Sequence, residues 1–237
     1  MNYAAILAGG TGTRVKSIKI PKQFVEIGGK PVIAYTINNV LKSAVFDKIY
    51  IAVHKDWIDF MNELVDSEFS EARNIIRVVY GGKERMDTIT YVTATISMEC
   101  GVKTNDVIVL HDAARPFVTK QILRDSVKAA AKYGAVVTAM SASDTMLVSE
   151  SGEEVDNIPE RKTIFHGQAP DSFRLRLFLD MLNALTEEQR ANITGTSQIC
   201  TLNGHKLHMI KGDPQNFKIT TDIDLFIAEQ MAIKAKG

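Results

Sequence analysis

The densest run of chemically useful residues lies near the start of the chain, in Leu7-Ala8-Gly9-Gly10-Thr11-Gly12-Thr13-Arg14. Three glycines in four positions let a backbone approach a ligand closely and turn several N–H groups toward one anion. Arg14 closes the run, and Lys22, in Pro21-Lys22-Gln23-Phe24, adds a second cation. Amides flanked by two positive charges suit a triphosphate. Gly10-Thr11-Gly12-Thr13-Arg14-Val15 lacks the third glycine of a dinucleotide-binding turn, and no Gly-Lys-Ser/Thr of a kinase-type phosphate loop is present. Taken alone, the glycines equally suit a plain strand-to-helix turn with a solvated arginine.

A second glycine pair, Gly81-Gly82, leads into Glu84-Arg85-Met86-Asp87-Thr88. Exposed N–H groups there, with the Thr88 hydroxyl, could read a base or a ribose; a simple turn at a strand end explains the same residues. In His111-Asp112-Ala113-Ala114-Arg115-Pro116-Phe117, Asp112 ends an apolar run. A carboxylate at the carboxyl end of a strand can hold Mg²⁺ against phosphate oxygens, or merely cap a turn. Arg115 could orient it or touch substrate, and His111 is assigned no chemistry. Two later cations, Arg161 and Lys218, read as ordinary surface charges from their surroundings alone.

The elements that must position these residues alternate in type. Tyr3–Ala8, Lys48–Val53, Ile75–Tyr80, Asp106–Leu110 and Ala135–Ala139 are Val/Ile-rich and nearly continuous, the pattern of strands covered on both faces. Helical spacing runs between them over Pro31–Ser43, Trp57–Val65, Glu84–Met98 and Lys120–Tyr133, with Pro31 in a first turn and Thr119 as an N-cap. This alternation predicts an α/β fold with right-handed crossovers and ligands at the carboxyl ends of the strands. Asp144–Ile158 breaks the pattern and predicts a β-hairpin turning at Ser151-Gly152, an arm inserted in the fold. Two helices, a short strand at Lys206–Ile210 and a last helix from about Asp222 are expected after Phe173.

Bulk properties exclude several classes. The 237 residues carry no formal net charge at pH 7, so nothing in the balance recommends nucleic acid or a membrane surface. Cys100 and Cys200 match no zinc spacing and suit a reducing cytosol. No apolar run reaches the roughly 18 residues of a membrane span, and the start reads as a first strand, not a signal peptide.

Five motifs occur in order: Leu-Ala-Gly-Gly-x-Gly-Thr-Arg, Pro-Lys-Gln-Phe, Gly-Gly-x-x-Arg-x-Asp-Thr, His-Asp-Ala-x-Arg-Pro-Phe and Asn-x-Lys-Ile-Thr-Thr. Together they resemble the cytidylyltransferases that activate methylerythritol phosphate or ribitol phosphate, over about Tyr3 to Glu229. Asp87-Thr88-Ile89, Ile158-Pro159-Glu160-Arg161, Gly167-Gln168-Ala169-Pro170 and the missing lysine after Asp144-Thr145-Met146 resemble the ribitol phosphate branch. Three segments depart from the family pattern: Ala169-Pro170-Asp171 where Thr-Pro-Gln is usual, Thr194-Gly195-Thr196-Ser197 in the segment shaping the alcohol site, and Lys83.

The resemblance implies a three-layer Rossmann-like nucleotidyltransferase fold formed as a single domain over residues 1–237, with a mostly parallel sheet. It implies transfer of CMP from CTP to a polyol phosphate, foremost D-ribitol 5-phosphate, releasing pyrophosphate. Arg14 and Lys22 would stabilise the α- and β/γ-phosphates, with Lys218 a further cation at the α-phosphate. Leu7, Ala8, Gly9, Gly10 and Gly12 would line the nucleotide site with Gly81, Gly82, Arg85, Thr88 and Ala113. Asp112 would contact the nucleotide and hold Mg²⁺. Arg115 and Thr138 would bind substrate, and Arg161 would grip the phosphate of the incoming alcohol. A β-arm at about 144–167 would cross to a partner in a cytoplasmic homodimer, leaving open whether Arg161 acts in its own subunit or its neighbour's. A silent nucleotide-binding assembly protein, or an enzyme activating a sugar 1-phosphate with another nucleotide, are the competing readings.

Overall fold

In the computed structural model, which describes residues 1–10 and 20–234, the continuous apolar runs become the middle of one sheet. Among the described residues its order is β5 (Ile76–Tyr80), β4 (Lys48–Val53), β1 (Asn2–Ala8), β6 (Val107–Asp112), β8 (Phe165–Arg174), β7 (Ala135–Ser141) and β9 (His208–Lys211). All pairings are parallel except those of β8, which runs antiparallel between β6 and β7. A ribbon of β2 (Glu26–Ile27) and β3 (Lys30–Pro31) precedes the first helix.

The two-residue period of a strand explains the layers. On β1, Ala4, Ile6 and Ala8 pack into one apolar cluster, whereas Tyr3 and Ala5 pack into another on the opposite face. The first cluster takes α1 (Val32–Ser43), α2 (Ile58–Glu68) and α4 (Lys120–Tyr133); the second takes α3 (Arg85–Cys100) and α5 (Leu175–Ala184), with Ile199 and Cys200 of α7 (Gln198–Leu202). α6 (Glu187–Asn192) precedes α7, and α8 (Asp222–Lys234) packs Ala228 and Ala232 against Ile27 and Ile219. This is the expected α/β fold, helices on both faces of a mostly parallel sheet.

Outside residues 144–158 the expected strands and helices form, with small shifts at their ends. Thr119 caps α4 by accepting the Ile122 N–H at 3.2 Å. Pro31 sits at the N-cap of α1 and not in its first turn. Three helices, not two, follow Phe173 before β9. β8 was not expected. Gly167, Pro170 and Asp171 interrupt its β pattern, and its strand form comes from pairing with both neighbours, Leu110 opposite Asp171 on one side and Val137 on the other.

The expected hairpin ladder over Asp144–Ile158 is not formed; only a single antiparallel bridge joins Val148 and Asn157. The turn lies where its residues predict, with Gly152 at φ +77°. Leu147, Val148, Val155 and Ile158 stay exposed, so pairing the limbs buries little apolar surface, and local bonds such as Glu150 N–H to Asp156 replace ladder bonds.

Candidate active site

The carboxyl ends of β1, β5 and β6 open on one cleft of about 320 Å³. Leu7, Ala8, Gly9 and Gly10 form its floor at the end of β1. Gln23 holds this stretch in place: its side-chain amide donates to the carbonyls of Ala8 (2.7 Å) and Gly10 (2.8 Å). Lys22, one residue earlier, is buried at the cleft wall. Gln23 was missed as a site residue, although it stands inside the motif that singled out Lys22. Gly9 is required by close packing, since a Cβ there would lie 2.9 Å from the Thr88 hydroxyl and 3.3 Å from the Gly82 carbonyl. The sequence-derived candidates Gly12 and Arg14 lie outside the described residues.

Asp112, the last residue of β6, is the electrostatic hub. One oxygen pairs with the Arg85 guanidinium at 2.6 Å; the other meets Lys218 Nζ at 3.1 Å and Arg115 Nε at 3.2 Å. Burial opposes its ionisation, but Arg85, Lys218 and Arg115 together outweigh burial and hold its pKa well below the usual carboxylate range. Asp112 is therefore a fixed anion gathering three cations that were read separately in the sequence. His111, beside it, is pushed down to about 4 by burial and is neutral at pH 7. Its Nε2 faces the Arg115 carbonyl at 3.2 Å, which fits the absence of chemistry assigned to it.

A second cleft of about 260 Å³ shares Arg85, Asp112, Lys218 and Thr194 with the first. Its far wall is Gly167–Ala169 and Asp171 of β8, with Thr196 and Ser197. Antiparallel β8 is what brings this wall beside Asp112, because it places Asp171 opposite Leu110. Buried Asn216 braces the wall by donating to the Ala169 carbonyl at 2.7 Å, while its own carbonyl accepts from Arg115 at 2.8 Å. Neither Gln168 nor Asn216 was a site candidate. Their sequence signal is only that each amide sits inside a motif containing a candidate.

Among the described residues no trio of His, Cys, Asp and Glu is placed to hold a metal ion. A Mg²⁺ ion that takes most of its oxygens from phosphate and water needs only one or two protein carboxylates. Asp112, at the junction of the two clefts, fits that donor set.

The chain has known relatives. It matches 2-C-methyl-D-erythritol 4-phosphate cytidylyltransferase over residues 3–234. The chain belongs to this family. It is a cytidylyltransferase. A ribitol-5-phosphate cytidylyltransferase of Lactiplantibacillus plantarum is 36% identical over 234 residues, covering 99% of each chain. The structure of 4-diphosphocytidyl-2C-methyl-D-erythritol synthase from Anaerococcus prevotii superposes with a TM-score of 0.80 at 25% identity, covering 98% of this chain and 95% of that one. The 2-C-methyl-D-erythritol 4-phosphate cytidylyltransferase of Francisella tularensis, 23% identical with a TM-score of 0.77 over 97% of this chain and 99% of its own, shares the fold.

Several candidates of this cytidylyltransferase stand elsewhere than expected. The Thr138 hydroxyl is buried and donates to the Pro170 carbonyl at 2.8 Å. It lines neither cleft and ties β7 to β8. Gly81 spends its N–H on the Val53 carbonyl at 2.7 Å, so no free amide points from it toward a base. The glycine pair makes room instead, since a Cβ on Gly82 would lie 2.1 Å from the Asp87 Cβ. Thr88 lines the first cleft, with its hydroxyl on the Glu84 carbonyl at 3.0 Å. Arg85 lines both clefts and joins them, bonding Asp112 and, at 3.3 Å, the Thr196 hydroxyl. Ala113 lines the first cleft and Arg115 the second. Arg161 is exposed outside both, donating to the Ser143 carbonyl at 3.4 Å. Among the described residues no helix is long and apolar enough to cross a membrane.

Proposed function

We propose that the enzyme transfers the cytidylyl group of CTP to D-ribitol 5-phosphate, giving CDP-ribitol and pyrophosphate. The observation that carries this reading is the meeting of two clefts at the Asp112 cluster, one glycine-floored and cationic, the other lined with hydroxyls. Among the described residues the first cleft carries four cations, Lys22, Lys83, Arg85 and Lys218, against the two carboxylates Glu84 and Asp112, which suits a polyphosphate. The 36% identical relative favours ribitol 5-phosphate as the acceptor.

An oxygen of the acceptor phosphate attacks the α-phosphorus of CTP. A new P–O bond forms as the bond from the α-phosphorus to the bridging oxygen breaks, and pyrophosphate leaves with that electron pair. Nothing becomes covalently attached to the protein. The work is to hold two anions in line and to stabilise charge on a crowded phosphorus. Lys22, with Arg14, holds the leaving phosphates, and Lys218, swinging from Asp112, meets the α-phosphate. When Mg²⁺ is bound, Asp112 holds it and the ion offsets charge on the phosphate oxygens. CTP should exceed ATP by at least about tenfold in kcat/KM, and ribitol 5-phosphate should exceed methylerythritol 4-phosphate and glycerol 3-phosphate. A panel of these substrates, read by pyrophosphate release, checks this; equal use of ATP contradicts the nucleotide assignment, and a better rate with methylerythritol 4-phosphate contradicts the acceptor assignment alone.

The 144–167 segment is further read as a dimer arm that carries Arg161 into the partner's acceptor cleft within a homodimer. Its support is the exposed position of Arg161 outside both clefts of its own chain and the fit of a guanidinium fork to a phosphate. Arg161→Ala should raise KM for the alcohol phosphate far more than KM for CTP. Mixing inactive Arg161→Ala with inactive Lys22→Ala subunits should restore activity, because one of the two sites then has both cations. Heterodimers that form without restored activity place Arg161 in its own subunit's site.

A further inference from the structure

Asp171 is a buried carboxyl that the reaction as described leaves unused. It is 8% exposed, and yet it lines the second cleft. Pairing with β6 on one side and β7 on the other fixes its backbone. The nearby cations are committed elsewhere, Arg85 and Arg115 both pairing with Asp112. A buried carboxyl without an ion pair needs hydrogen-bond donors to offset its desolvation. The Thr196 hydroxyl supplies one, and a carboxylate has about four acceptor positions. The hydroxyls of Thr194 and Ser197 line the same cleft, while Gly167 and Gly195 keep it open.

We propose that Asp171 is a specificity-determining residue that reads hydroxyl groups on the carbon chain of the acceptor, with Thr196 orienting its carboxyl. This rests on the cytidylyl-transfer reading and adds to it the group that senses the chain beyond the phosphate. An alcohol phosphate seated with its phosphate toward Lys218 and Arg115 extends its chain along β8, where hydroxyl donors satisfy the carboxyl. An acceptor with a shorter chain leaves Asp171 buried and short of donors, the situation in which a polar site rejects an analogue most strongly. Burial, the largest influence on it, pushes the Asp171 pKa up to about 7, in keeping with a carboxyl short of donors.

The test compares kcat/KM for ribitol 5-phosphate and for the three-carbon glycerol 3-phosphate in the parent, Asp171→Asn and Thr196→Val enzymes, with KM for CTP measured alongside. Methylerythritol 4-phosphate replaces ribitol 5-phosphate if the parent prefers it. The preference for the longer acceptor should fall roughly tenfold or more in both variants, while KM for CTP stays within about twofold of the parent's. A merely structural role would weaken all substrates together. An unchanged ratio between the two acceptors in folded Asp171→Asn and Thr196→Val overturns the assignment. A parent inert with every acceptor overturns the cytidylyl-transfer reading itself, a different result.

Discussion

Lys22→Ala is expected to fold as the parent does and to lose on the order of a hundredfold or more in kcat at saturating CTP. Lys22 is buried at the cleft wall beside the Gly9-Gly10 floor, next to the Gln23 amide that fixes that floor. A charge held there is already oriented, so stabilising the leaving phosphates costs no reorganisation when the bond breaks. An alanine leaves that work to water, which must reorient as the charge develops. Gln23, whose amide holds the Ala8 and Gly10 carbonyls, is left in place by this substitution, so the floor of the cleft should keep its shape. Steady-state kinetics with a thermal melt checks both halves; a nearly active Lys22→Ala enzyme moves phosphate stabilisation elsewhere.

Asp112→Asn should be the most damaging substitution overall. The amide preserves shape but removes the anion shared by Arg85, Arg115 and Lys218. Three cations then face one another around a neutral group, and Arg85, whose Nε is buried without a partner, loses its main support. Since Arg85 and Lys218 are both partly solvated, the stability lost should be roughly 1–3 kcal/mol and not the full cost of a stranded buried charge. Activity should fall on the order of a hundredfold, because the cations no longer sit where two phosphates must meet. The pH dependence of stability gives an independent check. The depressed folded pKa of Asp112 means its contribution is present above the unfolded carboxylate value of about 4 and is lost as pH falls through the lower folded value. The acid limb of a stability–pH curve should therefore be shallower in Asp112→Asn. Parent-like activity, or an unchanged acid limb, contradicts the role of Asp112 as the hub.

What was legible in the sequence follows from which forces were local. The strands β1, β4 and β6 could be read because burial on both faces demands unbroken apolar runs, and α4 because Thr119 and its apolar spacing sit in one short segment. β8 could not, because Gly167, Pro170 and Asp171 speak against a strand and only its two neighbours impose one. The acceptor-side wall was thus hidden with it, and Asp171 showed only as a departure from a motif. Asp112 was found from its place at a strand end, with Arg115 three residues on, but the approach of Arg85 and of Lys218, the latter more than a hundred positions away, has no local signature. Gly81-Gly82 looked like a row of free amides, whereas close packing against Val53 and Asp87 is what excludes a side chain. The bond of the Thr138 hydroxyl to Pro170 was not legible, because a hydroxyl inside a strand carries no mark of which way it points. In the 144–167 segment the turn at Gly152 was readable, but a ladder also needs its apolar residues covered, and Leu147, Val148, Val155 and Ile158 stay exposed.

The most direct test of the central claim is to incubate the enzyme with CTP, Mg²⁺ and D-ribitol 5-phosphate and to follow the phosphorus NMR spectrum. The account predicts that the CTP resonances are replaced by pyrophosphate and by the paired signals of a pyrophosphate diester, CDP-ribitol, in equal amounts and only when acceptor is present. Unchanged CTP with ribitol 5-phosphate, under conditions where methylerythritol 4-phosphate is converted, contradicts the acceptor assignment; no conversion with any polyol phosphate contradicts the proposed reaction itself.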